Sequence, residues 1–371
     1  MTTGIHLSPS GNDRLMQILM RKGISRRLTL MTATLFVAAA PYLWIALTDA
    51  VRNPSLSIDA AHDYGYFNQF FLFLPFMVWF IPYYFGGFEA AILTLRNRRV
   101  LSLSDSELAQ FTRKANTIFC NPVVTWLPYM LSSSATVIGF YSFWGAHKNT
   151  WNSPLQEPLA EPAVWLSMPP TFLLYLLVGQ CLLRMGCIRT VITLLFNDEK
   201  RLVISAFHPD GAGGLSPLGD FSMRVTPACL LGGLVTLVGV LTNTYQYGRP
   251  LFDSLNLLYV LAYMTALIVA FFVPLLAARG GMSRAKTASL ELISDRCTHI
   301  MREAVDDLRR KGDTEASKLK SLENLTKLYE MSNRMPIYPF NTRNVVRFGS
   351  SVLWPLALMI LKWVQEQLTK P

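Results

Sequence analysis

One stretch concentrates the residue types that do chemistry: Phe207-His208-Pro209-Asp210-Gly211-Ala212-Gly213-Gly214-Leu215-Ser216-Pro217. A histidine and an aspartate two residues apart, His208 and Asp210, are able to bind a metal or to share a proton. Gly211, Gly213 and Gly214 let the backbone turn several N–H groups toward an anion. The same residue types also build a tight structural turn, in which Asp210 accepts from local amides and the glycines supply positive φ. The residues by themselves leave both readings open.

The elements that must position this loop are apolar. The 371-residue chain is 51% hydrophobic and only 16% charged, against about 25% charged in ordinary soluble domains. Apolar runs cover 28–48, 69–88, 123–145, 163–184, 225–243 and 256–277. Each offers the roughly 20 residues a helix needs to cross a hydrocarbon core about 30 Å thick. A seventh run, 348–364, is shorter and contains Pro355 and Lys362, so it spans, re-enters or lies on the surface. The expected fold is therefore all-α, a polytopic bundle of six or seven transmembrane helices with a soluble helical hairpin. Ala38-Ala39-Ala40 resembles a leader cleavage site, but the apolar run continues past Pro41 to Leu47 and reads as a retained first span.

Lysine and arginine placement orients the spans. Arg14, Arg21, Lys22, Arg26 and Arg27 precede the first span, and the connections 96–122 and 185–224 are also basic, while the alternate connections are poor in cations. This alternation predicts an inner (plasma) membrane protein with a cytoplasmic N-terminus, and it accounts for the net charge of +10 without nucleic acid. Residues 1–27 then form a cytoplasmic basic segment, with 1–13 unstructured and 14–27 a basic amphipathic helix on the inner leaflet. Residues 28–278 form the six-span domain. Residues 279–344 form a cytoplasmic helical hairpin, and 345–371 the C-terminal apolar segment.

In the hairpin, Leu290, Ile293, Cys297, Ile300, Ala304 and Leu308 recur at helical spacing. So do Leu319, Leu322, Leu325 and Tyr329, across a break at 310–314. Ser104-Asp105-Ser106-Glu107 is a helix start of the capping-box type. Residues 201–207 read as a short strand. The five cysteines, Cys120, Cys181, Cys187, Cys229 and Cys297, read as buried free thiols.

The second span is crowded with aromatic side chains, Trp79 among them, is interrupted by Pro75 and Pro82, and is expected to end at Gly86-Gly87. Glu89 follows as an ionisable group near membrane depth, where such groups are functional candidates; at the interface it would instead pair with an arginine such as Arg96. Prolines in spans free backbone carbonyls and suit hinges and cavities. Pro75, Trp79, Pro82 and Glu89, with Pro128 of the third span, are therefore the candidate pore or gating residues. Arg98, Arg99, Arg279 and Arg284 on the basic face are candidates to bind an anionic regulator such as a nucleotide, oligonucleotide or lipid headgroup.

Phosphate-binding-loop, HExxH and GxSxG signatures are missing, which points away from those enzyme classes, and no cofactor or metal set is indicated. The expected function is a pore or channel-like effector gated from the cytoplasm, with the lipid bilayer and further copies of itself as partners. The alternatives are a membrane-anchored sensor or scaffold acting through 283–334, and a membrane enzyme using His208 and Asp210.

His208-Pro209-Asp210 with Gly213-Gly214-Leu215, and later Pro336-Ile337-Tyr338-Pro339-Phe340-Asn341, together resemble a family of uncharacterised bacterial multi-pass membrane proteins. Tyr338 and Asn341 stand where that family would have Trp and Asp. The resemblance covers the C-terminal half, implies a bacterial membrane protein, and brings no activity with it.

Overall fold

The computed structural model describes residues 13–21, 23–47, 63–145, 162–196, 208, 210, 212–245, 254–311, 316–334, 338 and 342–369. The expected strand at 201–207, the connection 146–161, Pro209, Gly211 and most of the 335–341 stretch lie outside the described residues.

A backbone in hydrocarbon must bond its own N–H and C=O groups, which leaves helix as the local solution for each apolar run. The described residues form helices and no strand. They are α1 (Arg14–Met20), α2 (Ile24–Leu47), α3 (Tyr64–Phe67), a π-helical segment (Asn68–Phe73) and α4 (Leu74–Asn97), followed by α5 (Asp105–Phe119), α6 (Pro122–Gly145) and α7 (Pro162–Phe196). Then come α8 (Ser216–Met223), α9 (Thr226–Tyr245), α10 (Ser254–Lys311), α11 (Ala316–Asn333) and α12 (Thr342–Thr369). Among the described residues, six helical stretches are long and apolar enough to cross a membrane: Ile24–Leu47, Tyr64–Asn97, Asp105–Phe140, Pro162–Phe196, Ser216–Thr242 and Tyr263–Arg309. The chain is thus a multi-pass integral membrane protein. Its basic end is the one at which α1 and α6 begin and α4 and α7 finish.

The span containing α4 is the most enclosed of the six and that containing α6 the least. Around α4 the interior is filled by aromatic rings. Phe80, Tyr84, Phe85, Phe88 and Phe221 are all essentially inaccessible, and Phe221 of α8 lies 4.8 Å from Tyr84 and 5.4 Å from Phe88 between centroids. Such ring pairs add roughly 0.5–1.5 kcal/mol each beyond area burial. α6 lies along α7, whereas α4 meets α2, α7 and α8.

Local chemistry explains several details. Pro75 has no N–H and would crowd the carbonyl four residues back. The backbone accommodates it with the π-helical segment, where Leu74 N–H bonds to Gln69 O, five residues back. The Asn68 amide uses this widened turn to donate to Val235 O of α9 at 3.1 Å. Gly86-Gly87 does not end the second span. α4 continues through both glycines to Asn97, because Gly87 is the notch into which Arg224 lies: a Cβ there would sit 2.3 Å from Arg224 Cδ. Arg224 Nη1 donates to Tyr83 O at 2.9 Å and its guanidinium stacks over the Tyr83 ring. At Ser104 the capping box forms as expected: Glu107 N donates to Ser104 Oγ at 3.3 Å, and Ser104 N to Glu107 Oε2 at 2.9 Å.

The N-terminal expectation is corrected. Residues 14–27 are not one helix on a leaflet surface. The chain breaks between α1 and α2 at Gly23, whose φ is 146°. Met16 and Leu19 of α1 are buried among the core side chains, and Asp13, expected to be unstructured, is buried.

The hairpin is α10 paired with α11, but its first arm does not start after a linker. α10 is one helix of 58 residues that continues from the sixth apolar stretch into the hairpin without interruption. Lys286 Nζ donates to Asn333 O at 2.6 Å near the open end, and Lys318 pairs with Asp307 near the turn. Leu290, Ile293, Cys297 and Ile300 are partly covered and Ala304 is buried, whereas Leu308 and Leu319 are more than half exposed. The seam is therefore narrower than the sequence spacing suggests. Cys181, Cys187 and Cys229 are buried free thiols, while Cys120 and Cys297 are only partly covered. α12 contains the seventh apolar run. It is not one of the six spanning stretches, yet it lies along α9 and stacks Phe348 on Phe271 of α10 at 3.8 Å.

Candidate functional site

The His208–Ser216 loop is organised by Asp210. Its Oδ1 accepts from Ala212 N at 3.0 Å and Gly214 N at 2.9 Å, and its Oδ2 accepts from Ser216 N at 3.1 Å. His208 Nδ1 lies 2.9 Å from Oδ1, and Arg98 Nη1 lies 3.7 Å from Oδ2 while donating to Ser216 Oγ at 3.0 Å. Burial pushes the Asp210 carboxyl upward, but the amides of Gly214, Ala212 and Ser216 outweigh it and bring its pKa down to about 2. Gly213 and Gly214 take positive φ, 65° and 94°. A Cβ on Gly214 would stand 2.5 Å from Val100 Cγ2, so the loop docks on the chain just after α4. The geometry is that of the structural turn: the carboxylate is spent on its own loop. Among the described residues no group of three His, Cys, Asp or Glu side chains is placed to hold a metal.

The turn it docks on is also built tightly. Val100 N bonds to Leu95 O at 3.1 Å and Arg99 N to Arg96 O at 2.9 Å, the pattern that closes a helix with one left-handed residue. That residue is Arg99, with φ 58°, the only described non-glycine with positive φ.

Three of the four cations proposed for an anionic regulator are engaged within the chain. Arg98 serves the loop, Arg284 Nη2 donates to Phe196 O at the end of α7 at 2.8 Å, and Arg279 stacks on Tyr338 at 4.9 Å. Of the pore candidates, Pro75 and Pro82 are buried in α4 and Trp79 stacks on Tyr83 at 4.7 Å. Pro128 is buried on α6, against Gly179 of α7. Glu89 is half-buried on α4 and forms no ion pair among the described residues, while Arg96 pairs with Asp105 at 2.5 Å. Glu89 lies eight positions before Asn97, the end of α4, about 12 Å along the axis.

A second constellation was not singled out by sequence. Asp13, Gln180 and Arg184 are 2%, 0% and 0% exposed. Asp13 Oδ1 accepts from Leu15 N at 2.9 Å, Met16 N at 3.2 Å and Tyr129 OH at 3.1 Å. Its Oδ2 accepts from Gln180 Nε2 at 2.5 Å, with Arg184 Nη2 at 3.8 Å. Gln180 Oε1 in turn accepts from Arg184 Nε at 3.0 Å, and Gln180 Nε2 also reaches Thr125 O at 3.4 Å. Helices α6 and α7 thus present donors to one carboxylate carried by the N-terminal helix. Breaking such a buried pair from one side costs about 3–5 kcal/mol. A signal existed in the sequence: Gln180 and Arg184 are four residues apart in an otherwise apolar run, and so share a helix face.

No family model, no curated protein and no solved structure matches the chain.

Proposed function

We propose that the protein is a channel-like effector of a bacterial inner membrane, non-enzymatic and assembled from several copies, with its basic end in the cytoplasm. The observation that carries this reading is Glu89, a half-buried carboxylate on a membrane-spanning helix, at the end of its apolar run and without an ion pair among the described residues. An ionisable group kept in a span is costly, and it is retained where ions or protons pass. The orientation rests on the basic N-terminal segment and the basic connections at the same end.

The aromatic filling around α4 directs the proposed path to the boundary between copies rather than through one copy. Glu89 would set charge preference there, and the exposed Ser133 and Ser134 of α6 would contribute polar surface. The gate is assigned to α10, because a helix continuous from the sixth span into the hairpin carries a rotation or tilt of the hairpin into the membrane. The test is ion flux from liposomes holding the purified protein, with Glu89→Gln beside it. The variant is expected to conduct with cation preference reduced severalfold, and unchanged selectivity would remove Glu89 from the path.

The scaffold reading has one observation in its favour. Leu292, Met301, Val305, Leu308 and Leu319 are exposed on the charged second half of α10 and on α11. A scaffold would conduct nothing, and deleting the hairpin would remove partner binding alone.

A further inference from the structure

We propose that the buried Arg184–Gln180–Tyr129 cluster is an anion site for small carboxylates, which Asp13 fills from the N-terminal helix as a tethered ligand. The segment 13–21 is then a latch that a free carboxylate displaces. The inference concerns the same bundle and stands whether or not that bundle conducts.

The donors around Asp13 fall into two sets. Leu15 N and Met16 N belong to the latch and leave with it. The donors Tyr129 OH and Gln180 Nε2, and the Arg184 guanidinium that pairs with the carboxylate at 3.8 Å, belong to α6 and α7 and remain. Those that remain are already aimed: Gln180 holds Arg184 through Oε1 and its own amide through Thr125 O. A buried guanidinium and two oriented donors are a preorganised receptor for a carboxylate. Emptying the receptor would take from the buried guanidinium the carboxylate that is paired with it, so the folded bundle favours one of two filled states. The latch is short, seven helical residues, and is joined to the first span at Gly23, a residue whose φ of 146° marks a bend. Beyond Asp13, its hold on the bundle rests on buried Met16 and Leu19, with Leu15 and Met20 partly buried against the same core.

A ligand tethered by a short linker acts at roughly millimolar effective concentration, so free acetate at or above that range competes. The experiment uses the full chain in detergent with sodium acetate, and sodium gluconate at equal ionic strength as the bulky control. In Asp13→Ala, the thermal midpoint falls, and trypsin cleavage after Arg21 accelerates by roughly a hundredfold or more as the latch comes free. Acetate restores the midpoint, gluconate does not, and the cleavage stays fast because the latch remains unseated. The double variant Asp13→Ala/Arg184→Gln shows no acetate response. Wild type supplies the measurement should Asp13→Ala fail to fold: acetate, not gluconate, speeds cleavage after Arg21. Equal responses to both salts, no response to acetate, or an acetate response that survives Arg184→Gln would each overturn the site.

Discussion

At the scale of single residues, Asp210 turns a glycine-rich loop into a fixed platform by accepting three backbone amides. Its folded pKa of about 2 lies below the roughly 3.9 of an unfolded aspartate. Its stabilisation is therefore fully present above about pH 4 and is lost as pH falls through the folded value. Asp210→Asn is expected to lower the melting temperature at pH 7 and to flatten this acid limb; an unchanged pH–stability curve would refute the role. Arg99 holds a left-handed backbone at some cost, about 1–2 kcal/mol for a residue with a Cβ. Arg99→Gly is predicted to raise the melting temperature, and a drop would mean that its side chain outweighs that strain. Sequence placed His208, Asp210 and the glycines in a turn but could not choose between turn and site. That choice depends on whether the carboxylate oxygens are free, and Asp210 spends both on amides of its own loop. Asp13 was invisible for a different reason. Its partners lie 116 and 167 residues away, on α6 and α7, and nothing local distinguishes a buried aspartate from a solvated one.

At the scale of elements, coupling between hairpin and membrane depends on α10. A break where the helix leaves the membrane would isolate the hairpin while leaving both parts folded. Thr287 is exposed there, and Thr287→Pro removes a helix hydrogen bond at a cost of about 3 kcal/mol. The variant is expected to keep the bundle's melting transition while its flux no longer responds to hairpin deletion or to hairpin-directed antibody. Flux in the variant that still follows the hairpin would show that coupling runs elsewhere. The spans were legible because an apolar run of roughly 20 residues is long enough to cross a bilayer and uncommon outside one. Their boundaries at Gly86-Gly87 and at α1 were not. Glycine's helix-breaking tendency is overridden where Arg224 needs the space. The cations flanking α1 suggested a lipid surface, while Met16 and Leu19 between them sit in the protein core.

At the scale of the whole molecule, a continuous 58-residue helix joins the sixth of six apolar stretches to the paired hairpin, with the seventh apolar helix lying against α9 and α10. The aromatic packing around α4 makes a single copy a solid bundle there, which is why the proposed path lies between copies. The most direct measurement is ion flux across liposomes of anionic lipid containing the purified, oriented chain, with and without the hairpin. Flux that is cation-selective and altered by removing the hairpin is expected. No flux in any salt gradient, from protein shown to be folded and inserted and with nucleotide and anionic lipid supplied, would contradict the channel reading and leave the anchoring role.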